Sequence, residues 1–68
     1  MTTMQIYINS KPYEIQPNTP LIEVLSGKFK LDKIAVEIDK NIIPKSSWKE
    51  YILQDQSKIE VVEFVAGG

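Results

Sequence analysis

Apolar and polar residues alternate from Met4 to Asn9, with Met4, Ile6 and Ile8 on one side and Gln5, Tyr7 and Asn9 on the other. A period of two is that of a strand with one buried face, so the chain is predicted to open on a strand. Ser10-Lys11-Pro12 interrupts the run, and Tyr13 to Gln16 resumes it with Tyr13 and Ile15 on one side, which predicts a hairpin. The period then changes. Beyond Pro17-Asn18-Thr19-Pro20, the residues Leu21, Val24 and Leu25 recur at helical spacing. Thr19 is placed as an N-cap, Pro20 at the first helical position, Glu23 in the first turn and Gly27 where the helix can stop. The helix is predicted to be short, about two turns, and to lie on the sheet.

After a polar link around Lys30 to Lys33, alternation returns: Ile34, Val36 and Ile38 oppose Ala35, Glu37 and Asp39 in a third strand. Lys40-Asn41 is predicted to turn the chain into a brief Ile42-Ile43 extension that ends at Pro44. Ser46 to Ile52 reads as a serine-capped helical turn with Trp48 and Ile52 one turn apart and its apolar edge closing the core. Asp55-Gln56-Ser57 is a polar turn, and Lys58 to Val65, rich in Val, Ile and Phe, is the last strand. The predicted core is Ile6, Ile8, Ile15, Leu21, Val24, Leu25, Val36, Ile38, Ile59 and Val61. This order of elements fits a mixed sheet sharing one core with one main helix, an α+β design.

Composition narrows the chemistry. With 68 residues the chain is one domain, and 43% hydrophobic against 25% charged residues is the balance of a packed domain. Cys and His are both absent. Without them there is no thiolate nucleophile, imidazole base, disulfide framework or usual zinc site. A net charge of −1 provides no basic surface for phosphates, so nucleic acid is not an expected partner. No apolar stretch is long enough to span a membrane and Met-Thr-Thr-Met is not a basic leader, so a cytoplasmic location is expected. The nine Asp and Glu side chains show no pairing that suggests acid-base catalysis or a metal site, and Trp48 reads as a packing residue.

The end of the chain is least explicable as packing. Two terminal glycines occur by chance in roughly one chain in 200, so the Gly67-Gly68 pair alone says little. Its context says more, because a strongly apolar strand here projects a small, uncharged segment beyond the sheet. An extended Gly-Gly end can enter a slot too narrow for any side chain and bring its carboxylate against a reactive group. A carboxylate is a poor electrophile until it becomes a mixed anhydride. ATP-dependent adenylation is the obvious route, and the chain has no phosphate-binding loop of its own. On the last strand, alternation sends Ile59 and Val61 inward and leaves Val62 and Phe64 outward, next to the tail. Two neighbouring exposed apolar residues there are expected to dock a partner.

These residues resemble the ThiS family, the sulfur carriers of thiamine biosynthesis within the ubiquitin-like β-grasp group. The resemblance runs from Met4 to Gly68. It is carried by the opening strand with its Asn9, by Ala35-Val36-Glu37-Ile38-Asp39, by Ile42-Ile43-Pro44-Lys45-Ser46-Ser47-Trp48 and by Val65-Ala66-Gly67-Gly68. The family often has Asn in place of Asp39, Arg in place of Lys45 and an Asp-Gly turn in place of Asp55-Gln56. The resemblance implies a β-grasp domain over residues 1–64 with a flexible tail over 65–68. It also implies a protein cosubstrate with no cofactor of its own and no enzymatic activity. Gly68 would be adenylated by a ubiquitin-activating-like adenylyltransferase whose substrate is Mg-ATP. A sulfur donor protein would convert it to a thiocarboxylate, and thiazole synthase would accept the sulfur. Gly67 and Ala66 would give the tail access to those sites, and Val62 and Phe64 would dock the partners. The same tail chemistry serves the small subunit of molybdopterin synthase, which usually approaches its glycines through prolines that Glu63-Phe64 lacks. A β-grasp interaction module without sulfur transfer is the reading from another functional class.

Overall fold

The computed structural model describes residues 2–64. Five strands form one sheet: β1 (Met4–Ile8), β2 (Lys11–Ile15), β3 (Ile34–Ile38), β4 (Asn41–Ile42) and β5 (Lys58–Glu63), in the order β2-β1-β5-β3-β4. β1 and β5, from opposite ends of the described chain, lie side by side and parallel, while every other pairing is antiparallel. A helix, α1 (Leu21–Ser26), and single 3₁₀ turns at Leu31–Lys33 and Lys45–Ser47 complete the fold. This is the mixed sheet with one helix that the alternation pattern predicts.

One face of the sheet and one face of α1 enclose the core. Ile6 and Ile8 of β1, Val36 and Ile38 of β3, Ile59 and Val61 of β5, and Leu21, Val24 and Leu25 of α1 are all buried, as their periodicity predicts. Removing each such side chain from water contributes about 1.5–3 kcal/mol, which is how a chain this short can hold a fold. Ile34, Trp48 and Leu53 are buried as well. Ile15 differs from expectation. It lies on the edge strand β2, with a neighbour on one side only, and is half-buried against the core.

Local expectations at Thr19, Pro20, the Ser46 segment and Ile52 are corrected by tertiary contacts. Thr19 does not cap α1: its Oγ1 donates to the Gln16 carbonyl at 2.6 Å, and Pro20 occupies the N-cap with no side-chain bond. The free N–H groups at the helix start are taken instead by backbone, Leu21 N–H donating to the Tyr51 carbonyl at 2.7 Å and Ile22 N–H to the Trp48 carbonyl at 3.0 Å. Gly27 does end the helix, but at φ −84° it needs no glycine to do so. In the Ser46 to Ile52 segment no serine caps a helical turn. A 3₁₀ turn follows Pro44, Trp48 is buried, Ile52 is 46% exposed, and Leu53 takes the core position expected of Ile52.

The hairpins turn one residue earlier than expected. Asn9 and Ser10 (φ 51° and 71°) connect β1 to β2, and Asp39 and Lys40 (φ 53° and 68°) connect β3 to β4. Positive φ at both central residues matches the twist of two-residue hairpins, yet none of these four positions is glycine. Ser10 and Lys40 carry the steric cost of a Cβ in the left-handed region without the local hydrogen bonding that favours Asn and Asp there. Ser10→Gly and Lys40→Gly should therefore each stabilise the fold, by about 0.5–1 kcal/mol after the extra freedom of glycine in the unfolded chain is offset. Thermal melting checks this, and a lowered melting temperature in both variants would contradict it.

Candidate functional site

β5 is the strand from which the chain continues to its Gly-Gly end, and its own sequence fixes its two faces. Ile59 and Val61 point into the core, so Lys58, Glu60 and Val62 must face outward. The register places Val62 opposite Ala35 of β3, and Glu60 opposite Glu37, which in turn lies opposite Ile42 of β4. Ala35 is too small to cover its neighbour, and Val62 remains 59% exposed. Phe64, just past the strand, continues the ladder through its N–H, which donates to the Lys33 carbonyl at 2.7 Å, while its side chain stays 57% exposed. Backbone pairing therefore fixes both residues in place and leaves their apolar surface open. Their exposure is what the alternation predicts, and Ile42, which the sequence pattern did not single out, is 74% exposed on the same face two strands away.

The remaining predicted site residues, Ala66, Gly67 and Gly68, lie outside the described residues, as does Val65 at the expected end of the last strand. What the described residues supply is the platform from which the tail leaves. Among them, no group of three or more His, Cys, Asp or Glu side chains is placed to hold a metal ion. No helix is long and apolar enough to cross a membrane. Glu37 and Glu60 face each other across β3 and β5, an arrangement of like charges that does nothing for the stability of the sheet.

A second residue at this site was named in the sequence only as part of the opening strand, without its partner. Asn9, at the end of β1, sends its side chain across to β5: Nδ2 donates to the Val61 carbonyl at 3.2 Å, and Val61 N–H donates to Oδ1 at 2.8 Å. Its position in the hairpin turn hints at a left-handed backbone, but nothing local in the sequence points to a partner 52 residues away.

Comparison with known proteins agrees with this geometry. The ThiS family model matches residues 6–68. The sulfur carrier protein ThiS of Bacillus subtilis is 34% identical over 65 residues, covering 93% of this chain and 98% of that protein. A thiazole synthase of Magnetococcus marinus is 35% identical over 66 residues; the match takes in 96% of this chain but 20% of that protein, so the chain spans about a fifth of the length of such relatives. In three dimensions the fold matches the crystal structure of the thiamine biosynthesis protein ThiS from Geobacter metallireducens with a TM-score of 0.79, covering 96% of this chain and all of the other at 20% identity. With its β-grasp fold, its matching length and a family match running through the terminal glycines, this chain belongs to the ThiS family of sulfur carrier proteins.

Proposed function

We propose that this protein carries sulfur as a thiocarboxylate on Gly68 and delivers it for formation of the thiazole ring of thiamine. The observation that carries this reading is the extent of the family match, which includes Gly67 and Gly68 and leaves only residues 1–5 outside it. Two relatives named thiazole synthase, from Magnetococcus marinus and Paramagnetospirillum magneticum, contain a segment similar to this chain as a fifth of their length, which supports thiazole synthase as the acceptor.

The chemistry follows from what the chain has and lacks. No side chain can form a persulfide in a protein without cysteine, so the sulfur is bonded to the acyl carbon of Gly68. A carboxylate oxygen of Gly68 attacks the α-phosphorus of ATP on a separate adenylyltransferase, pyrophosphate leaves, and the acyl-adenylate forms. The terminal sulfur of a donor protein's persulfide attacks the acyl carbon and expels AMP. A thiol then attacks the donor sulfur of the resulting acyl disulfide, and the thiocarboxylate leaves as the second sulfur is taken into a disulfide. The body over residues 1–64 docks, and the tail over 65–68 reaches a site that would otherwise be closed to water and to larger side chains.

Intact-mass analysis tests this. After incubation with the adenylyltransferase, ATP and a sulfur donor, the chain should show one terminal oxygen replaced by sulfur, and thiazole synthase should then return it to the carboxylate. An unchanged mass would reject the reading.

Docking through Phe64 gives a further expectation. An exposed aromatic ring on a fixed backbone is a typical anchor, so Phe64→Ala should weaken binding to the adenylyltransferase by about 1–3 kcal/mol. Folding should be little affected, because Phe64 is 57% exposed and lies outside the buried core. Titration calorimetry beside a melting curve separates the two effects, and equal affinity would remove Phe64 from the interface.

A further inference from the structure

We infer that Asn9 is a positioning residue for the tail, a clasp that holds the last turn-free stretch of β5 in register where the strand β1 has already left it. The parallel pairing of β1 with β5 covers only Tyr7 with Lys58 and Ile8 with Ile59. Asn9 N–H still donates to the Ile59 carbonyl at 2.9 Å, but at φ 51° the backbone then swings into the hairpin and away from β5. In an unbroken parallel ladder, the next two bonds would run from Val61 N–H to the carbonyl of residue 9, and from the N–H of residue 11 to the Val61 carbonyl. The Asn9 side chain supplies both. Its Oδ1 stands in for the lost carbonyl, at 2.8 Å from Val61 N, and its Nδ2 stands in for the lost N–H, at 3.2 Å from Val61 O.

A carboxamide is the one side-chain group that reproduces a peptide's donor and acceptor together, and Asn is also a residue that tolerates the left-handed backbone at this position. Among the described residues, these are the last hydrogen bonds β5 makes on its β1 side. On the opposite side the strand is held by β3 and, at Phe64, by the Lys33 carbonyl. The root of the tail is thus fixed from both edges, one of them by a single side chain. Without the amide, Val61 would lose both partners on that edge, the root of the tail would be held by β3 alone, and the freedom it gains on the β1 side would be lost again when a partner captures the tail. That ordering cost falls on complex formation and not on the acyl transfer itself.

The inference rests on the carrier reading. Asn9→Gly removes the amide while keeping a residue suited to φ 51°, so the hairpin should survive, and the melting temperature should fall only by the several degrees that two lost hydrogen bonds cost a domain of this size. In ATP–pyrophosphate exchange with the adenylyltransferase, this variant should raise the KM for the carrier about tenfold and alter kcat by less than about twofold, the pattern of a lost contribution to binding. Amide hydrogen exchange at Val61 should quicken in the isolated variant. Asn9→Asp, which accepts from Val61 N–H but cannot donate to the Val61 carbonyl, should give a KM between the two. If wild type is activated and Asn9→Gly shows the same KM, the positioning role is overturned, whether or not the melting temperature falls. Unchanged exchange at Val61 would overturn the clasp itself. Failure of the wild-type chain to be activated would overturn the carrier reading and the tail-positioning role with it, while the exchange measurement would still report on the clasp.

Discussion

A chain ending at Gly68 is expected to be adenylated, and the same chain carrying a tag after Gly68 is expected not to be. The tag turns the α-carboxylate into an amide and so removes the anionic oxygen that attacks ATP. Deleting Gly68 leaves a carboxylate on Gly67, but withdraws the acyl carbon by about 3.5 Å, when a misplacement of about 1 Å can already cost a hundredfold in rate. Activity should therefore fall to background in both. Gly67→Val should fail too, because a branched side chain clashes in a slot shaped for glycine and restricts the backbone angles available to the tail. Circular dichroism and melting should stay near wild type in all three, since every buried apolar residue of the described core lies between Ile6 and Val61. The measurement is ATP–pyrophosphate exchange followed by intact-mass analysis. Activation of the tagged or truncated chain at the native rate would mean that the terminal carboxylate is not the working group.

The largest effect on stability is expected at Trp48. Its ring is 1% exposed, the bulkiest of the fully buried side chains, and its Nε1–H donates to the Ile43 carbonyl at 2.9 Å. The residue joins three parts of the fold. Its ring sits in the core, its Nε1–H fixes the segment after β4, and its own carbonyl accepts the N–H of Ile22 at the start of α1. Replacing a buried Trp by Ala costs about 3–5 kcal/mol, whereas a domain of this length is stable by roughly 3–10 kcal/mol in all. Trp48→Ala should thus be partly or wholly unfolded at room temperature. Trp48→Phe should retain most of the packing and lose mainly the hydrogen bond, about 0.5–1.5 kcal/mol if water reaches the Ile43 carbonyl and more if it does not. Chemical denaturation distinguishes these outcomes, and a loss below about 1 kcal/mol for Trp48→Ala would contradict its place in the core.

Strand identity and side-chain facing were legible in the sequence because both depend on a period of two. Ile6 and Ile8, Val36 and Ile38, Ile59 and Val61 had to share the buried side of their strands, and Val62 and Phe64 had to fall on the other. Leu21, Val24 and Leu25 marked the buried face of the helix for the same kind of reason. The terminal glycines and the absence of Cys and His likewise needed no coordinates to direct attention to the chain end.

Other features depended on which distant segments meet. That β1 and β5 are neighbours, that Leu53 and not Ile52 is buried, and that α1 is capped by the carbonyls of Trp48 and Tyr51 rather than by Thr19 are all settled by packing between segments far apart in the chain. Local preference ranks Thr19 as a good cap, but a helix end needs only that its N–H groups find acceptors, and a neighbouring backbone serves as well as a side chain. Asn9 shows the same division most clearly. The sequence determines that it is a small carboxamide able to turn the chain; only the tertiary structure brings Val61 against it, because a hydrogen bond spanning 52 residues leaves no periodic trace in the sequence.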